Sequence, residues 1–114
     1  MGEIIGCAKF KIGKGKLDEF KRLSAKCMEI VRDKDTGTLE YKLYFNDDES
    51  ECMVYERYKS SKALLEHFEN LGDTANELMA TGTVSGFVLG EPSSELGKAL
   101  ESGGVQVYSS YKSA

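Results

Sequence analysis

The run Tyr55-Glu56-Arg57-Tyr58-Lys59-Ser60-Ser61-Lys62-Ala63-Leu64-Leu65-Glu66-His67-Phe68 changes its side-chain period part-way, and that change constrains the fold most. Cys52, Val54, Glu56 and Tyr58 alternate onto one face of a strand, with Met53, Tyr55 and Arg57 on the other. Lys59-Ser60-Ser61 ends the alternation, and Ser60 or Ser61 offers an oxygen to a free amide of the following turn. From Ala63 the spacing is helical. Ala63, Leu64, His67, Phe68 and Leu71 share a stripe, while Lys62, Glu66, Glu69 and Asn70 face water. The spacing therefore predicts that the chain's one histidine looks into the protein.

Around this strand-turn-helix the other elements follow in order. Ile4–Ile12 alternates as a first strand, with Ile4, Gly6, Ala8, Phe10 and Ile12 on one side. Gly13-Lys14-Gly15 is a turn; it lacks the third glycine and the Lys-Ser/Thr of a phosphate cradle. Residues 16–34 place Leu17, Phe20, Leu23, Ser24, Cys27, Ile30 and Val31 on one helical stripe. Asp18 and Glu19 open that helix, Arg32 and Lys34 close it in accord with its dipole, and Thr36-Gly37 stops it. Residues 38–46 form a second strand that puts Leu39, Tyr41, Leu43 and Phe45 on one face, and residues 52–58 form the third. After the central helix, Leu71-Gly72-Asp73-Thr74 is a break, with Asp73 expected to cap a short helix through Ala75, Leu78 and Met79. Residues 83–89 are the fourth strand.

The order β-α-β-β-α-β describes an α+β, ferredoxin-like unit over residues 1–92, with both helices on one face. Residues 93–114 extend the same domain with a Ser93-capped helix holding Leu96, Ala99 and Leu100, then a strand over 105–111. A fifth strand at the chain end does not readily complete so small a sheet. It is expected at an exposed sheet edge, a second subunit's included. The sheet face that avoids the helices carries Tyr, Met, Phe and Leu, more apolar surface than a monomer leaves wet. A two-fold homodimer that stacks these faces would bury it.

Bulk properties narrow the function classes. At 114 residues, 40% apolar and with one proline, the chain is one ordinary globular domain. Its net charge of −4, with both signs intermixed, gives no basic footprint for nucleic acid. No apolar run is long enough to span a bilayer, and Met1-Gly2-Glu3-Ile4 lacks the start of a signal peptide, so no membrane partner and a cytoplasmic location are expected. Cys7, Cys27 and Cys52 form no Cys-x-x-Cys pair and one histidine is too few for a zinc site, so no metal is expected. The thiols read as small buried hydrophobes, and Met28, Met53 and Met79 as gap-filling core. Asp47, Asp48 and Glu49 lack calcium-loop spacing and read as a solvated turn. Glu56 and Arg57 read as a salt bridge from strand to helix.

The aromatic-Glu-Arg-aromatic strand end, the turn, and Ala63-Leu64 with His67 three residues on together resemble the antibiotic biosynthesis monooxygenase (ABM) family. Gly15-Lys16-Leu17-Asp18-Glu19-Phe20 resembles the family's first turn and helix start. Thr36-Gly37-Thr38-Leu39-Glu40-Tyr41-Lys42-Leu43-Tyr44 resembles its glycine-then-strand segment. The resemblance covers roughly residues 4–90 and implies a dimeric α+β barrel. It also implies cofactor-independent oxygenation of a polycyclic phenol or quinol, whose anion passes an electron to dioxygen itself. Such chemistry asks for a base, hydrogen bonds to the developing anion and a dry aromatic pocket. His67 would be the base, and Tyr41, Tyr55, Tyr58 and Glu56 would hold the substrate. The resembling haem-degrading branch uses a first-strand Asn and a Trp; here Ala8 stands near that position and Trp is absent. Haem binding, and the family's isomerase branch, which would want a basic pocket, are therefore minor expectations. The reading from another class is a non-catalytic small-ligand-binding or stress-associated dimer that uses the same cavity.

Overall fold

The computed structural model describes residues 2–114. Five strands form one sheet: β1 (Ile4–Ile12), β2 (Thr38–Phe45), β3 (Glu51–Tyr58), β4 (Gly82–Leu89) and β5 (Gln106–Tyr108). Four helices connect them: α1 (Leu17–Lys34), α2 (Ser61–Leu71), α3 (Asp73–Met79) and α4 (Ser94–Ser102). The strand order is β2-β3-β1-β4-β5, antiparallel until β5 joins β4 in parallel. This is the expected α+β ferredoxin-like arrangement, with a C-terminal helix and strand added. No helix among the described residues is long and apolar enough to cross a membrane.

The helix ends follow local chemistry. Ser60 sits in extended backbone, and its hydroxyl accepts the Ala63 amide at 3.2 Å, starting α2. Ser93 does the same for α4 by accepting the Leu96 amide. The expected Asp73 cap is overturned: Asp73 is already inside α3, with Gly72 before it and no side-chain cap. Gly72 has φ +49°, a conformation glycine adopts cheaply, and this sharp break leaves no capping geometry for Asp73.

The last strand also departs from expectation. It adds to the chain's own sheet, Val107 lying opposite Val88 and Tyr108 opposite Leu89. A parallel neighbour needs a crossover, and α4 supplies it. Leu96 and Leu100 of α4 are fully buried with Ile4, Tyr58, Leu64 and Val88, so the extension is core rather than an appendage. A second buried cluster gathers Phe10, Phe20, Cys52 and Val54 at the other end of the sheet.

Three further expectations fail for stated reasons. A β-bulge between Thr38 and Glu40 makes Leu39 the extra residue, so it leaves the face of Tyr41 and Leu43 and is 44% exposed. Phe68 lies at the edge of the α2 stripe and is 44% exposed, because nothing packs over that flank. Met53 and Met79 are exposed rather than core, whereas Met28 is half-buried beside β2. The thiols remain unpaired. Cys27 and Cys52 are buried and Cys7 is half-buried, and burial raises the pKa of all three, so none is an activated thiolate.

Candidate active site

The α1–β2 junction brings the site together. Asp35 ends α1 in extended backbone, which turns its side chain inward. Gly37 then passes so close to α2 that a Cβ there would stand 2.5 Å from the Ala63 Cβ, and its carbonyl accepts the Lys59 amide. Glu66 of α2 accepts hydrogen bonds from the Thr36 amide and hydroxyl. Together these contacts bring Asp35 against the buried face of α2.

There Asp35 meets His67. The His67 Nδ1 lies 2.8 Å from one Asp35 carboxylate oxygen, which also accepts the Thr38 hydroxyl at 2.7 Å. The other oxygen accepts the Asn70 amide at 2.8 Å. Asp35 and His67 side chains are 1% and 3% exposed. Burial alone would raise the Asp35 pKa, but the bonds from Asn70, Thr38 and His67 outweigh it and hold the carboxyl below its usual value. An ionised carboxylate only accepts, which assigns a proton to Nδ1 and leaves Nε2 as the ring's other polar atom.

Nε2 faces Glu56, whose carboxyl oxygen is 3.9 Å away. That oxygen accepts a short hydrogen bond from the Tyr58 hydroxyl, at 2.5 Å. Burial pushes the Glu56 pKa up, and His67 and Tyr58 offset only part of the rise. Two carboxyl groups thus flank one imidazole with their proton affinities driven apart, Asp35 toward the anion and Glu56 toward the acid. The 3.9 Å gap is too long for a direct hydrogen bond. A hydroxyl oxygen seated off that line would stand within hydrogen-bonding distance of both groups.

The rings of Tyr41 and Tyr58 lie 5.5 and 5.2 Å from the imidazole. Burial is the main cause that pushes both phenol pKa values upward, so both stay protonated. On the β1 side of Glu56 the helix-facing positions are small, Gly6 and Ala8 with Gly86 beyond, whereas Tyr41 stands opposite Glu56 on β2. A Cβ added at Gly6 would meet nothing nearer than the Glu56 Cβ at 4.0 Å. The site therefore lies between the two core clusters, with Tyr58 belonging to one and Tyr41 packed against the other.

Of the residues expected here, His67, Tyr41, Tyr58 and Glu56 come together and Tyr55 does not. Tyr55 alternates onto the open face, opposite Cys7 and Lys42. The expected Glu56–Arg57 strand-to-helix bridge divides in the same way. Glu56 faces His67 on α2, while Arg57 binds Glu3 and Glu40 across the open face. Asp35, Thr38 and Asn70 were not expected. Asn70, expected to face water, instead turns to Asp35 from three residues past His67 on the same helix. Asp35 is 32 residues distant from His67 and left no local signal.

With this geometry in hand, known proteins place the chain. The antibiotic biosynthesis monooxygenase family profile matches residues 4–75. The chain belongs to this family. No curated protein sequence matches it. Among solved structures, MupZ from Pseudomonas fluorescens is similar over 100% of this chain and 90% of its own, with TM-score 0.84 and 24% identity. Rv0793 from Mycobacterium tuberculosis matches 81% of this chain and 97% of its own, with TM-score 0.69 and 24% identity. SnoaB, a cofactor-independent oxygenase from Streptomyces nogalater, matches 82% and 97%, with TM-score 0.68 and 15% identity. At these identities the likeness concerns the fold. The MupZ match runs through the α4–β5 extension, since it covers the whole chain.

Proposed function

We propose that this ABM-family chain is a cytoplasmic, homodimeric, cofactor-independent monooxygenase acting on an aromatic phenol or quinol, with His67 as its base. The observation that carries the reading is the buried Asp35–His67 pair, which fixes the imidazole with Nε2 as the free acceptor toward Glu56. A substrate hydroxyl beside Nε2 gives up its proton there, and the resulting anion passes an electron to dioxygen. Glu56, favoured as the neutral acid, donates a hydrogen bond to the developing charge, and Tyr58 holds Glu56 in place. Tyr41 supplies an aromatic wall. The three unpaired thiols suit a reducing compartment, and the apolar open face suits a second copy of the chain.

A different observation favours a non-catalytic ligand-binding role: His67 is 2% exposed, so its ring has little contact with bulk water. Oxygen uptake with a panel of phenols and quinols separates the two readings. The oxygenase reading expects uptake that drops about 10²–10⁴-fold in His67→Ala. Uptake unaffected by His67→Ala, or none with any compound, refutes His67-based oxygenation and leaves the binding reading.

A further inference from the structure

Two adjoining cavities run between α1 and β2, one of them backing onto the His67 cluster, and they meet at Met28. One, of about 350 Å³, lies toward the end of α1 between Val31, Arg32 and Leu39, with Asp35, Thr38 and Tyr41 at its inner wall and Glu40 beside them. The other, of about 260 Å³, is lined by Ser24, Ala25, Leu43 and Phe45, with Lys21 and Glu49 at its rim. The trough exists because the bulge at Leu39 and the half-buried Met28 and Leu43 leave α1 standing off the edge strand.

Two polar groups along it have no partner among the described residues. Ser24 is 8% exposed, yet its hydroxyl makes no hydrogen bond, an uncommon and costly state for a buried donor. Arg32 makes no ion pair, whereas the two carboxylates that line the cavity are engaged: Asp35 by Asn70, Thr38 and His67, and Glu40 by Lys42 and Arg57. Lys21 at the far rim is already paired with Glu49. The trough therefore offers one free cation at one end, an apolar middle, and one unsatisfied hydroxyl toward the other end.

We infer that this trough binds an elongated aliphatic carboxylate bearing an oxygen function at its far end. The carboxylate sits at Arg32, the chain over Met28 and Leu43, and the distal oxygen at Ser24. Eight helical residues separate Arg32 from Ser24, a rise of ~12 Å. An extended chain advances about 3.5 Å per three bonds, so ~12 Å corresponds to about ten bonds. The assignment concerns binding alone and is tested without turnover, although its inner wall shares Asp35 and Tyr41 with the His67 site.

The test is a titration of the full chain with 10-hydroxydecanoate and, separately, decanoate, followed by backbone amide NMR shifts and calorimetry. The expected result is shifts confined to α1 and β2, with the hydroxy acid bound about fivefold more tightly, as one buried hydrogen bond provides. Ser24→Ala should equalise the two ligands, and Arg32→Ala should weaken both several-fold; Arg32 is exposed, so this variant is expected to fold. No saturable shift in α1 and β2 at millimolar ligand would overturn the inference. So would equal affinity of the two acids for the native chain, or unchanged binding in Arg32→Ala. Binding is read here without oxygen turnover, which keeps failure of the trough distinct from failure of the base.

Discussion

Asp35 decides what His67 can do. With the carboxylate in place the ring has one tautomer and one free acceptor; without it, either nitrogen can carry the proton. Asp35→Ala should therefore change the ¹⁵N signature of the His67 ring from a single Nδ1–H tautomer to a mixture. A ring spectrum identical to the native one would refute the assignment. Stability should fall by about 3 kcal/mol, because Asn70, Thr38 and His67 all lose a buried partner. The two carboxyls also give opposite pH dependences. Asp35 is depressed in the fold, so its contribution is present above the ordinary carboxylate range and is lost as pH falls through its lowered value. Glu56 is raised, so the unfolded chain releases that proton first and stability declines as pH climbs from about 4 toward Glu56's raised value. Glu56→Gln keeps an oxygen for Tyr58 and removes that decline. Its melting temperature should exceed the native one by a margin that widens as pH rises through this window, and a constant or shrinking margin would contradict the buried-acid assignment.

The elements were legible where period and composition agreed, and less so where pairing was non-local. The switch from alternation to helical spacing after Tyr58 located β3, the Ser60 cap and the inward His67, since each depends on residues within one turn of each other. Tyr55 was separable by the same alternation, but family pattern alone drew it into the site. The Leu39 bulge was not legible, because an unbroken Leu39-Tyr41-Leu43 alternation hides the inserted residue. The extension was misjudged for a related reason. Parallel pairing of β5 with β4 depends on α4 packing over Ile4 and Tyr58, contacts distant in sequence. That packing links the extension to the site, because Tyr58 shares its cluster with Leu96 and Leu100 while its hydroxyl binds Glu56. Leu96→Ala should accordingly cost about 2–5 kcal/mol in urea denaturation. A loss under about 1 kcal/mol would mean that the extension rests on the core without contributing to it.

At the scale of the whole molecule, the sheet has two faces of unequal finish. The helix face is closed by α1, α2 and α4. The open face exposes Tyr44, Met53, Phe87, Leu89 and Tyr108, with Phe87 and Tyr108 in edge-on contact at 5.9 Å. In register Tyr44 and Met53 adjoin on β2 and β3, and Phe87, Leu89 and Tyr108 on β4 and β5, with Cys7 of β1 between Tyr55 and Phe87. Glu3, Arg57, Glu40 and Lys42 cross the same face as a chain of ion pairs, which satisfies its charges locally and leaves the apolar groups unpartnered. Covering each large side chain is worth roughly 1.5–3 kcal/mol, while exposed ion pairs of this kind contribute about 0–1 kcal/mol, so burial wins. A two-fold pairing of these faces, proposed above, follows from that balance. Light scattering at micromolar concentration should give the mass of two chains for the native protein. Met53→Glu with Phe87→Glu should give one, with far-ultraviolet circular dichroism unchanged, because neither side chain belongs to the buried clusters. A native monomer would refute the dimer, a double variant that stays dimeric would place the subunit contact elsewhere, and either result would leave this face without a purpose in assembly.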